Sequence, residues 1–152
     1  MNIFKEKGFT LIELMVVIAI VAILSSVILA ALSSARSKGN DAKIKSQLVG
    51  VRSRAEIFYD TNASYGTVYA YAACPSGAAG TNNTVLFTDL PSGINSFFAA
   101  NAWPTGASPQ CISTGATYAI SASLPGIGGN WCIDNTGASK ANGVIGVGDA
   151  VC

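Results

Sequence analysis

Apolar positions are distributed very unevenly along this chain. Residues 14–24 form an unbroken apolar run, and within residues 9–32 only Thr10, Glu13, Ser25 and Ser26 interrupt it. A stretch of that length can cross a bilayer, which takes about 20 mostly apolar residues. The pattern then changes period without a turn signal. Ile44, Leu48, Val51, Ala55 and Phe58 recur at alternating steps of four and three, which places them on one helical stripe. Lys43, Lys45, Arg52, Arg54 and Glu56 fall largely elsewhere around the axis, so residues 33–61 are predicted to be an amphipathic helix that continues the membrane-length one. Gly39-Asn40-Asp41 is the weak point: Gly lowers helix stability and Asn or Asp can cap a new helix, so a bend or break is expected there.

Beyond Asn62 the composition shifts to Gly, Ala, Ser, Thr and Asn with interspersed aromatic residues, which favours strands and loops. Residues 67–73 read as a strand or extended edge, residues 75–84 as a loop, and Ile94, Phe97 and Phe98 as one short helix before Pro104. The clearest sheet signal is a hairpin of residues 116–124 and 130–134 joined by the turn-rich Pro125-Gly126-Ile127-Gly128-Gly129. A further strand at 144–147 would extend the sheet. The fold class predicted is α+β, a long N-terminal helix packed by its second half on a small antiparallel sheet.

Charge refines this division. The net charge of +1 conceals a basic middle, in which Arg36, Lys38, Lys43, Lys45, Arg52 and Arg54 outweigh Asp41, Glu56 and Asp60. After Asp60 only Asp89, Asp134, Lys140 and Asp149 are charged. The basic residues are interleaved with acids on a predicted helix, which reads as a solvated or subunit-facing surface; lipid headgroups and nucleic acid are the alternatives. Lys5 and Lys7 just before the apolar run place the first residues in the cytoplasm and everything after Leu32 outside. Cys74, Cys111, Cys132 and Cys152 all lie in the exported part, where an oxidising compartment lets disulfides persist. There is no C-x-x-C pair and no histidine, so a zinc site is a poor alternative to two bridges and no metal or cofactor is expected. Of the three connectivities, locality favours Cys74 with Cys111 and Cys132 with Cys152.

Chemistry concentrates in Lys7-Gly8-Phe9-Thr10-Leu11-Ile12-Glu13-Leu14: a basic leader, a small residue, then an acid inside an apolar run. Gly8 lacks a Cβ and resists helix continuation, so the chain before Phe9 is expected to be locally extended. Glu13 costs about 2.5–3.5 kcal/mol near the centre of a bilayer and calls for a partner, or else for snorkelling to the headgroups one turn away. These residues resemble the type IV pilin and pseudopilin family, strongly over residues 7–32 and by architecture alone beyond Tyr65. The resemblance implies the pilin fold and a leader of residues 1–8 removed by a membrane aspartyl prepilin peptidase that cuts after Gly8 and methylates the new amine of Phe9. It implies that Glu13 attracts the N-terminal amine of a neighbouring subunit during assembly. The segments expected are thus the leader (1–8), the membrane and filament-core helix (9–32), the spine helix (33–61) and the head (62–152).

The implied partners are other pilin subunits, the peptidase, the assembly machinery and membrane lipid. The implied location is the cytoplasmic membrane in a single pass, followed by an extracellular pilus or a cell-envelope filament. One rival is a conventional signal peptide with residues 14–24 as its apolar region and cleavage after Ala35; an acid at position 13 and the length of the run speak against it. The other rival is an anchored enzyme. Without histidine, Ser-His-Asp and Cys-His chemistry are unavailable, and Asp89, Asp134 and Asp149 read as single solvated aspartates on loops. Within the family, residues 143–152 hold only Asp149 among acids, a poor calcium ligand set, and the cysteine at 152 suits a stapled C-terminal loop; a pilus subunit is favoured over a pseudopilin or DNA-uptake pilin.

Overall fold

The computed structural model describes residues 8–75, 84–143, 145, 146, 148 and 150–152. A single helix, α1, spans Leu11–Asn62, and five strands follow: β1 (Tyr69–Ala73), β2 (Gln110–Ser113), β3 (Tyr118–Ser123), β4 (Asn130–Asp134) and β5 (Ser139–Ala141). The chain forms two compact units, Met1–Arg36 and Ser37–Cys152.

In the second unit the helical stripe is the organising feature. Ile44, Leu48, Val51, Ala55 and Phe58 are all buried, at most 1% exposed. They pack with Leu86, Phe87, Ile94 and Phe98 and with the inward residues of the sheet, Tyr118, Ile120, Ala122 and Ile133. Close approach matters at Gly50, where a Cβ would lie 2.6 Å from the Phe97 ring. The helix stops at Asn62; Ala63 takes the left-handed conformation (φ 53°) that ends many helices and donates its amide to Tyr59 O at 2.7 Å.

The break expected at Gly39-Asn40-Asp41 is not there: α1 runs through it. Asp41 does not cap a second helix. It is 4% exposed, and its carboxylate accepts the amides of Gly126 and Ile127 in the β3–β4 turn at 2.9 and 2.8 Å.

The sheet is an antiparallel meander in the order β1-β2-β3-β4-β5. The expected hairpin is β3 with β4, paired from Ala119 with Asp134 to Ser123 with Asn130. The strand expected at 67–73 is β1, and Ile94–Phe98 forms a 3-10 helix. β2 and β5 have no counterpart in the sequence reading. The fourth strand was expected at 144–147, of which Val144 and Val147 lie outside the described residues; among those described, β5 fills the place beside β4. The loop expected at 75–84 lies mostly in residues 76–83, also outside them.

Alternation through β3 explains the second layer. Tyr118, Ile120 and Ala122 face the helix, while Ala119 joins Ile112, Cys132, Ile145 and Ala150 in a separate apolar cluster on the opposite face. The C-terminal segment therefore covers the outer side of the sheet.

Candidate functional site

Gly8, Phe9 and Thr10 precede the helix and are exposed. A Cβ at Gly8 would meet nothing within 4 Å, so the fold makes no demand for glycine there. Lys5 and Lys7 lie outside the described residues.

Thr10 and Glu13 form a reciprocal pair at the start of α1. The Thr10 amide and hydroxyl donate to Glu13 Oε2 at 2.8 and 2.7 Å, and the Glu13 amide donates to Thr10 Oγ1 at 3.3 Å. This is a capping box, which satisfies two of the donors a helix N-terminus leaves open. Sequence reasoning missed it, although Thr-x-x-Glu before an apolar run was its signal. A carboxylate taken only as an unpartnered acid thus already accepts two hydrogen bonds from its own chain.

Behind this box the helix presents an uncovered apolar surface. From Phe9 to Leu32 the large apolar side chains are 51–84% exposed. Burial of apolar area is the main favourable term in folding and association, so a surface this extensive requires a covering of lipid or other helices.

The cysteines stand well apart from this end of the chain in sequence. Cys74 is bonded to Cys111, joining β1's end to β2, and Cys132 is bonded to Cys152, joining β4 to the C-terminal segment. Asp134 adds a second tie: its Oδ1 accepts Thr136 N, Thr136 Oγ1 and Ala138 N, and its Oδ2 accepts Cys152 N at 2.9 Å. Burial raises the Asp134 carboxyl, but the hydrogen bonds from Thr136, Cys152 and Ala138 outweigh it and hold the group below the ordinary carboxylate value.

Asp89 and Asp134 were expected to be solvated. Both are 2% exposed, because each carboxylate organises backbone: Asp89 Oδ2 accepts Ser92 N at 2.7 Å. Asp149 lies outside the described residues. Among the described residues no group of three His, Cys, Asp or Glu comes together. The basic middle is also partly engaged. Lys45 Nζ sits 4.3 Å over the Trp131 ring, Arg52 donates to Ala138 O and Arg54 to Ser92 O, while Arg36, Lys38 and Lys43 remain exposed.

Comparison with known proteins adds three findings. Residues 3–29 match the model of the prokaryotic N-terminal methylation motif. The type IV wide pilus major component PilA4 of Thermus thermophilus is 37% identical over 93 residues, 61% of this chain and 70% of that protein. The type II secretion system core protein G of Klebsiella michiganensis is 36% identical over 63 residues (41% of this chain and 44% of its own length), and that of Dickeya chrysanthemi is 33% identical over 63 residues, 41% of each. No solved structure matches the chain.

Proposed function

The chain belongs to the type IV pilin and pseudopilin family, and from that premise we propose that it is a structural subunit of a type IV pilus-like filament, cut after Gly8 and methylated on Phe9 by a prepilin peptidase. The observation that carries this reading is the pairing of an exposed Gly8–Phe9 junction with an uncovered apolar helix surface immediately behind it. Lipid covers that surface while the subunit waits in the membrane, and the helices of other pilin subunits cover it in the filament. The first residues stay on the cytoplasmic side and the head, residues 62–152, is exported, where its two disulfides persist.

A pilus subunit is favoured over a secretion pseudopilin. The match to the pilus component spans 61% of the chain, beyond the helix and into the head, whereas the protein G matches span 41%. The Cys132–Cys152 bridge and the Asp134 tie supply mechanically what a calcium loop would otherwise supply. The partners are other pilin subunits, the peptidase, the assembly machinery and lipid; three of the six basic residues of the middle segment are engaged with the head, which leaves little continuous basic surface for nucleic acid.

The test is mass spectrometry of the subunit recovered from sheared surface filaments. A chain beginning at N-methylated Phe9 is expected. A chain beginning at Arg36, as signal peptidase would leave it, or an uncut precursor in the filaments, refutes the reading.

A further inference from the structure

A cleft of ≈ 480 Å³ opens in the head where three stretches of chain meet: residues 73–75 at the end of β1, residues 98–101 with Trp103, and residues 107–110 leading into β2. Its volume is in the range of sites that hold small molecules. Bonds that need no occupant hold it open. Cys74 is tied to Cys111, Cys74 N donates to Pro109 O at 3.0 Å, and Ser108 N donates to Ser123 Oγ at 2.9 Å. A preformed site spends little ordering entropy on binding.

The lining narrows what can enter. Among the described residues no charged side chain lines the cleft, so a phosphate, carboxylate or ammonium group would lose its water there without gaining a counter-charge. Trp103 is half-buried and stacks on Phe98, with ring centroids 6.3 Å apart and planes inclined by 28°. Its Nε1–H is buried with no hydrogen-bond partner, an unspent donor that an oxygen from a ligand would satisfy. Asn101, Ser108 and Gln110 add two neutral amides and a hydroxyl. A ring wall with neutral donors and acceptors beside it matches a pyranose, whose C–H face is apolar and whose rim of hydroxyls both donates and accepts. An extended peptide fits less well. It binds by pairing with a free strand edge, and the backbone at the end of β1 is already paired through Cys74 N and Pro109 O.

We propose that this cleft is a saccharide-binding site that takes uncharged pyranose units of an oligosaccharide, with a sugar face on Trp103 and its hydroxyl or acetamido groups bonded by Asn101, Ser108 and Gln110. It gives the head a recognition role that does not depend on whether the chain polymerises.

The experiment uses the full chain in dodecylphosphocholine micelles, which carry no sugar. Trp131→Phe leaves Trp103 as the only tryptophan and keeps an aromatic ring for Lys45. Fluorescence is titrated with chitotriose, maltotriose and the charged trigalacturonate. Saturable quenching by at least one of the two neutral sugars is expected, with a Kd of about 1 mM, and none by trigalacturonate over the same range. Asn101→Gly removes an amide and suits the left-handed backbone at that position (φ 64°), and Gln110→Met keeps the side-chain length without its amide. Each is expected to weaken binding about ten-fold, the effect of one lost hydrogen bond, at an unchanged melting temperature. No saturable change with either neutral sugar overturns the proposal. Quenching that trigalacturonate equals, or that both variants leave at full strength, overturns it as well.

Discussion

Asp134 accepts the backbone amide of Cys152 at 2.9 Å, so two neighbouring residues of β4, Cys132 and Asp134, hold the same C-terminal residue. The covalent tie and the hydrogen bond close one loop over the outer apolar cluster of Ile112, Ala119, Ile145 and Ala150. Asp134→Ala orphans the amides of Thr136, Ala138 and Cys152 and is expected to destabilise the head by about 2–3 kcal/mol, the scale of unsatisfied buried groups. Urea unfolding of the oxidised head checks this, with an unchanged midpoint as the contrary result.

The same carboxylate sets an acid limit. Its folded pKa is lowered, so its contribution is complete above the unfolded value of about 3.9 and is lost as pH falls through the lower folded value. Amide exchange at Cys152 and Ala138 should accelerate below about pH 4 in the wild type. In Asp134→Asn that extra acid response should be missing. An identical acid response in the two proteins would assign it to another group.

Reduction should act on both faces of the sheet. Each bridge is typically worth about 2–4 kcal/mol, and the two close separations of 37 and 20 residues in a unit with many glycine turns. Reductant is therefore expected to lower the melting temperature of the head by well over ten degrees, taking about 4 °C per kcal/mol. An unchanged melting temperature would leave the bridges without a stabilising role.

How much of this was written legibly in the chain depends on whether each signal was local. The stripe from Ile44 to Phe58 was legible because a helix half in contact with a core must repeat apolar residues at steps of three and four. The turn between β3 and β4 was legible in its glycines. β3 itself carries no clean alternation: Ala119 faces the C-terminal segment, so both sides of the strand are buried and the polar-out signal is lost. Asp41 misled for a related reason. Beside Gly39 and Asn40 it looks like a helix cap, and only the partner 85 residues away shows that it serves the turn. Thr10 and Glu13 were local enough to read, but an acid in an apolar run drew attention to the membrane cost and away from the helix start.

Gly8→Val should separate recognition from folding. A Cβ at this position meets nothing, so the substitution is expected to leave insertion and the head unchanged while the peptidase fails to cut. Immunoblots of membrane fractions would then show precursor alone. Mature subunit at wild-type level in Gly8→Val would remove Gly8 from the cleavage site.

Glu13 caps the helix of its own chain, and a pair of substitutions tests whether its charge also serves a neighbouring subunit. Glutamine at the third helical position can still complete a capping box, so Glu13→Gln keeps the contact with the Thr10 amide but loses the charge. Thr10→Ala does the reverse: it removes the hydroxyl that links to Glu13 at a cost of about 1 kcal/mol for a lost cap, and leaves the carboxylate ionised. Neither should harm insertion: Glu13→Gln neutralises an acid, which lowers the cost of residing in lipid, and Thr10→Ala adds no charge. Both should still be cut after Gly8. If charge pairing with the amine of Phe9 on an incoming subunit brings helices into register, Glu13→Gln loses most filaments from the sheared fraction while Thr10→Ala retains the majority. The pairing is strengthened by the low dielectric of packed helices and offset by desolvation of both ions, so the loss should be large without being total. Wild-type filament yield in Glu13→Gln, with a shortfall in Thr10→Ala, would make Glu13 a helix cap and nothing more.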